Sequence, residues 1–168
     1  MSGYAKVNGL EMDYEVHGRP LILLHGAFGS TAMFAEILPA LAEGRWVIAA
    51  DLQAHGRTAD VDRPLNAYSM ADDVAALIGH LGLGRVDVMG YSMGGGVALQ
   101  TAVRHPGLVR RLVVVSFPFK REGWHPEVLA GLDGVGREAA EPMKRSPMYK
   151  PTARRSTSRA ARGSGPGS

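Results

Sequence analysis

The chain has 168 residues, 45% of them apolar and none of them cysteine. That is enough for one domain with a real core, and it excludes disulfides, thiolate chemistry and cysteine metal sites. The net charge of +3 is held unevenly: from Lys144 onward there are seven Lys or Arg and no acid, so residues 1–143 carry −4. The basic character belongs to the C-terminal end, without the interleaved aromatics of a nucleic-acid-binding module, and nucleic acid is not an expected partner.

The first elements are a hairpin, Tyr4–Val7 and Leu10–Val16, around the strong two-residue turn signal Asn8-Gly9. Pro20–Leu24 is a continuous apolar run suited to a strand buried on both faces, and it ends in His25-Gly26-Ala27-Phe28-Gly29-Ser30. Ala32–Glu43 reads as a helix. Trp46–Asp51 reads as another strand, followed by Gln53-Ala54-His55-Gly56-Arg57-Thr58. Ser69–Leu81 is a predicted helix with Ser69 as N-cap, Asp72 and Asp73 in its first turn, and an apolar stripe of Ala75, Leu77, Ile78 and Leu81.

A strand over Arg85–Met89 then meets Gly90-Tyr91-Ser92-Met93-Gly94, and Met93–Val103 continues as a helix with small residues at its start. After Pro106-Gly107, Val109–Ser116 supplies a sixth strand. Strands alternating with helices imply an α/β fold, a mostly parallel sheet with helices on both faces. Residues 117–126 are loop-like, with a short helix around Glu127–Leu132.

The G-x-S-x-G pentad matters because of its flanks. A serine between an apolar strand and a helix is forced onto a strained corner, hydroxyl outward at the top of a sheet, and the glycines let strand and helix approach closely. The competing reading is a glycine-rich turn of a nucleotide-binding fold, but neither G-x-G-x-x-G nor G-x-x-x-x-G-K-[ST] is present. Ser92 is the candidate nucleophile.

In these segments the chain resembles the α/β-hydrolase family, whose H-G-x motif after the third strand helps to build an oxyanion hole. The resemblance implies that the backbone N–H of Ala27, with Phe28 the neighbouring alternative, is one donor to the oxyanion and that the N–H of Met93 is the other. His25 is then a structural turn histidine. Residues 51–58 resemble the family's D-x-R-G-H-G-x-S loop, with Gln53-Ala54 replacing Arg-Gly and Thr58 replacing Ser. That loop shapes the surroundings of the site, and Asp51 and His55 precede the nucleophile whereas the family's acid and histidine follow it.

The resemblance also implies truncation after about six of eight strands and part of a cap; the absent strands would carry the triad acid and histidine. After Ser92 only His105 and His125 remain. His105 closes the helix of the elbow, about 20 Å along it from Ser92. His125, beside Glu122 and Glu127, is the remaining candidate base; His17 and His80 read as surface or helix-end residues. Phe117, Phe119, Trp124 and Met143 either line a substrate pocket or cover the sheet.

The expected organisation is a hydrolase core over 1–118, a partial cap-like segment over 119–150, and a disordered basic tail over 151–168 that reads as out of frame. No apolar leader or membrane-length segment is seen, and the absence of cysteine fits a reducing compartment, so a cytoplasmic protein without a membrane partner is expected. No cofactor and no metal are expected. The sixth strand would be an open edge, which predicts self-association. Two functions compete: a serine-dependent hydrolase of a small carboxylic ester (with lactone, C–C and peracid chemistry as relatives), or a non-catalytic pseudo-hydrolase or fragment lacking the triad Asp and His.

Overall fold

The computed structural model describes residues 2–17 and 20–133. The expectations for the basic tail and for Met143 lie outside these described residues.

Six strands form one mixed sheet in the order β1-β2-β4-β3-β5-β6. β1 (Ser2–Val7) and β2 (Leu10–His17) are the hairpin, its corner made by Asn8 at φ 49° and Gly9 at φ 79°. These paired positive values are those of the tight turn that matches strand twist. β2 runs antiparallel to β4 (Val47–Ala50). β3 (Leu21–Leu24) lies parallel between β4 and β5 (Val86–Tyr91), and β6 (Val109–Val115) adds in parallel beyond β5. The sheet is thus parallel from β4 to β6 and antiparallel at the hairpin.

Every residue of β3 and β4 is buried, as their unbroken apolar runs require of central strands covered on both sides. Alternate side chains serve two cores. Ile22, Leu24, Ile48, Ala50, Val86 and Val88 pack under α2 (Ala67–His80) and α3 (Met93–Arg104). Leu21, Leu23, Val47 and Ala49 pack on the opposite face with Phe34, flanked by Leu38 and Leu41. Burial of each Leu or Ile in this layer contributes about 1.5–3 kcal/mol.

Two local expectations need correction. Ala32–Glu43 is not one helix: Thr31–Phe34 is a single 3-10 turn and α1 is the single turn Leu38–Leu41. Pro39 has no N–H, and its ring would clash with the carbonyl four residues back, so a helix cannot run through it. The second correction concerns α2, which begins at Ala67 and not Ser69. The Asn66 side chain caps it by accepting from the Ser69 amide at 2.9 Å. Asn66 competes successfully because its extended backbone (φ −146°) leaves the side-chain oxygen free to reach the first turn.

After β6 come a 3-10 turn at Arg121–Gly123 and α4 (Pro126–Asp133), largely exposed. Among the described residues no helix is long and apolar enough to cross a membrane.

Candidate active site

β5 ends at Tyr91 and α3 begins at Met93, so Ser92 alone makes the corner, at φ 51° and ψ −121°. A positive φ costs an L-residue roughly 1–2 kcal/mol, and such strain persists only where the surroundings dictate it. Here the surroundings do. The Ser92 amide is held by the Val115 carbonyl of β6 at 2.9 Å, and the Gly95 amide donates back to the Ser92 carbonyl at 2.7 Å.

The flanking glycines are steric necessities. A Cβ on Gly90 would sit 2.0 Å from the Gly94 carbonyl oxygen, and one on Gly94 would sit 2.3 Å from the Leu24 oxygen. Strand, corner and helix meet backbone to backbone.

The β3 turn comes up beside this corner. A Cβ on Gly26 would lie 3.3 Å from the Ser92 Cβ and 3.1 Å from the Tyr91 ring. The turn is held from beneath by His25, which is fully buried. Its Nε2 accepts from the Leu52 amide at 3.1 Å, which leaves Nδ1 as the protonated nitrogen, donating to the Gly26 carbonyl at 2.8 Å. Burial is the main force keeping this ring below its ordinary pKa, so it is the neutral tautomer that is held.

The consequence reaches Ala27. The Gly26 carbonyl also accepts from the Gly29 amide at 3.1 Å, so it is fixed toward the interior. In a trans peptide the next N–H points the opposite way, and no cis peptide occurs among the described residues. The Ala27 amide therefore faces away from the His25 ring and from Gly29. Phe28, at φ 60°, completes this turn.

Met93 is the first residue of α3, and the opening N–H groups of a helix have no intrahelical acceptor. The Ala27 turn and the Met93 amide thus flank Ser92, and positive partial charge gathers at the N-terminus of α3.

The loop after β4 braces the same region. Asp51 is 1% exposed and accepts from the Thr31 amide at 2.7 Å and the Arg57 amide at 2.9 Å, which ties the β3 and β4 loops together. Gly56 is needed because a Cβ there would collide with the Asp51 carboxylate at 2.2 Å. Arg57 in turn pairs with Asp13 of β2. His55 donates through Nδ1 to the Gln53 carbonyl at 2.8 Å and packs 5.2 Å from the His25 ring. The positions of Asp51 and His55 are those of braces for the loops.

With the corner, the turn and the brace in place, a comparison of sequences decides the family. The model described as "alpha/beta hydrolase fold" matches residues 19–145. The chain belongs to the α/β-hydrolase family.

Within that family it is 42% identical over 100 residues to the sn-1-specific diacylglycerol lipase ABHD11 of Danio rerio, covering 58% of this chain and 31% of the lipase. It is 40% identical over 117 residues to the soluble epoxide hydrolase of Corynebacterium sp. strain C12, covering 67% of this chain and 40% of that one. Among solved structures, epoxide hydrolase CorEH without ligand superimposes with a TM-score of 0.72 at 30% identity, covering 86% of this chain and 55% of that one. The chain spans less than half the length of these two curated relatives.

The remaining sequence-derived candidates are scattered. His105 is at the far end of α3, with Nε2 2.8 Å from Asp72, which also holds Arg104. His125 is exposed just before α4, where its carbonyl accepts from the Val128 and Leu129 amides. His80 is exposed at the end of α2. Among the described residues no hydrogen bond joins a histidine to Ser92.

Phe117 lies over Gly95 and Gly96 of the elbow helix, which it covers, and meets Trp124 edge-on at 5.4 Å. Phe119 points into solvent, 79% exposed. No group of three or more His, Asp or Glu with metal-holding geometry occurs among the described residues. A cleft of about 290 Å³ opens at the other end of the strands, walled by Arg45, Asp87, Arg110 and Arg111. Its charged walls suit no acyl group, and it is remote from Ser92.

The sequence did not disclose a second buried network. Gln53 accepts from Arg63 Nε at 2.8 Å, and Arg63 grips the fully buried Asp73 of α2 through its two terminal guanidinium nitrogens. Asn8 of the hairpin turn adds a bond to Asp73 at 3.3 Å. Ten residues separate Arg63 from Asp73, and no local motif signals their pairing.

Proposed function

We propose that this chain carries the nucleophile and oxyanion half of a serine-dependent acyl hydrolase, with a small carboxylic ester as substrate. The observation that supports it best is Ser92 on its strained corner, flanked by the β3 turn. In this reading the Ser92 Oγ attacks the ester carbonyl carbon while its proton passes to a solvent water, and solvent returns a proton to the leaving alkoxide. The carbonyl oxygen becomes an oxyanion stabilised by the Ala27 and Met93 amides, each donor contributing about 3 kcal/mol. Collapse expels the alcohol and leaves an acyl-serine ester that water can hydrolyse.

The identity of the nucleophile argues against transferring the epoxide chemistry named for one relative. A serine that opened an epoxide would be left as an alkyl ether, which water does not cleave under mild conditions. Acyl transfer to serine is the chemistry that turns over.

A second reading is favoured by one observation: no histidine is bonded to Ser92 among the described residues. His25 cannot serve, since both of its ring nitrogens are committed to backbone partners. Without a base the hydroxyl is a weak nucleophile, and only the modest residual rate from an oxyanion hole is expected.

Reaction with a fluorophosphonate probe and hydrolysis of p-nitrophenyl acetate, each compared with Ser92→Ala, separate the readings. Labelling of the parent chain but not of Ser92→Ala, with little ester turnover, is the expected result. Turnover that vanishes in Ser92→Ala would establish a complete catalyst. Absence of both labelling and turnover would overturn the proposal.

A further inference from the structure

Among the described residues, every non-glycine residue at positive φ other than Asn8 lies just beyond the carboxyl end of a parallel strand. Phe28 follows β3 at φ 60°, Ala54 follows β4 at φ 62°, Ser92 follows β5 at φ 51° and Ser116 follows β6 at φ 55°. Strain of this kind collects at functional sites, and open α/β sheets bind their ligands beyond the carboxyl ends of their strands. The nucleophile, the oxyanion turn and the Asp51 brace occupy three of these corners. Ser116 is the fourth.

Part of that corner is architectural, since it turns the chain so that Phe117 comes down on Gly95 and Gly96. A glycine would make the same turn without strain. Among the described residues the Ser116 hydroxyl makes no hydrogen bond that would secure it. Ser116 is exposed and stands beside the nucleophile. Tyr91 and Val115 are register partners, and the Ser92 amide bonds to the Val115 carbonyl. Ser92 and Ser116 are therefore one strand spacing apart, about 4.8 Å. β5 and β6 fix that spacing by themselves, whatever lies beyond β6. The strand order puts the β3 turn on the other side of Ser92. A carbonyl whose oxygen is held by the Ala27 and Met93 amides thus carries its other substituents toward β6. The leaving alkoxide takes its proton from solvent and must face it, which leaves the acyl chain beside Ser116.

Given Ser92 as the nucleophile of the proposed acyl transfer, on which this rests, we propose that Ser116 is a specificity-determining residue. Its hydroxyl donates a hydrogen bond to an oxygen on the carbon next to the scissile carbonyl, which favours esters of 2-alkoxy, 2-hydroxy and 2-oxo acids. That oxygen is two bonds from the carbon that Ser92 attacks, within reach of a side chain one strand away. A hydrocarbon chain in the same place would strip water from the hydroxyl and give it no partner in return.

The p-nitrophenyl esters of methoxyacetate and butyrate have acyl chains of equal length and differ by an ether oxygen in place of a methylene. Acylation of Ser92 by each is followed as mass gained by the full-length chain, a readout that needs no deacylation. The greater intrinsic reactivity of the methoxyacetyl ester cancels when the methoxyacetyl-to-butyryl rate ratio of a variant is divided by that of the parent. Ser116→Ala and Ser116→Gly should each lower this ratio about 3–10-fold, the worth of one neutral hydrogen bond. Ser116→Gly should also unfold at the same urea concentration as the parent or a higher one, since its corner is unstrained. A ratio unchanged in either variant, or a Ser116→Gly chain less stable than the parent, would overturn the proposal. So would the absence of an adduct with either ester on a parent chain that a fluorophosphonate labels. A parent chain that the fluorophosphonate does not label at Ser92 would overturn the acyl-transfer reading itself, and this assignment with it.

Discussion

His25 has both ring nitrogens bonded to backbone, and this couples its protonation to folding. Burial holds the folded ring below the ordinary value of 6.5, so the folded state refuses a proton that the unfolded state accepts. Its contribution to stability is complete above about pH 6.5 and is lost as pH falls toward the folded value, at a slope of up to about 1.4 kcal/mol per pH unit. Urea midpoints of the parent chain should therefore fall between pH 7 and pH 5.5, and those of His25→Asn should change less. Asp72 and Asp87, whose carboxyls are held below 3.8 chiefly by hydrogen bonds from Arg104 and Arg110, act only in a lower window. Ala54 shows that the brace tolerates local cost. It replaces the glycine of the family motif yet stands at φ 62°, a conformation that costs an alanine roughly 1–2 kcal/mol. The loop keeps that shape because Asp51 and the backbone around it define the turn.

At the scale of elements, the short stretch from β5 through Ser92 into α3 fixes how the proposed nucleophile is presented. Three small residues at the start of α3 let it approach β3 and receive Phe117 on top of Gly95 and Gly96. Gly94→Ala would place a methyl carbon 2.3 Å from the Leu24 carbonyl oxygen, where neither partner can rotate away. Overpacking of this kind costs about 1–3 kcal/mol. We expect Gly94→Ala to lower the urea midpoint accordingly and to abolish fluorophosphonate labelling even where the chain remains folded. The glycines, the strand pattern before them and the helix pattern after them were all legible, since each is a property of neighbouring residues. The breaking of Ala32–Glu43 was legible too, in Pro39. The Asn66 cap was harder to see, because Asn66 and Ser69 both carry a capping side chain and only the direction of the chain entering α2 chooses between them.

Over the whole molecule, the buried Asp73–Arg63 pair ties α2 and the loop that leads into it to the hairpin turn, 65 residues before Asp73. Removing the guanidinium would strand a fully buried carboxylate, a loss of about 3–5 kcal/mol. Arg63→Ala should show that loss in urea denaturation, and Asp73→Asn added to it should recover part, since the uncompensated charge is then gone. The sequence by itself determined the order of strands and helices, the corner at Ser92 and the membership of its flanking motifs. Those depend on periodicity and turn conformation over a few residues. The tertiary structure alone decided that His25 fixes the Gly26–Ala27 peptide, that Asp51 clamps two loops and that Arg63 finds Asp73. Each of these depends on which strands, loops and helices lie side by side, and that is decided by strand order and packing and not by any local run of residues.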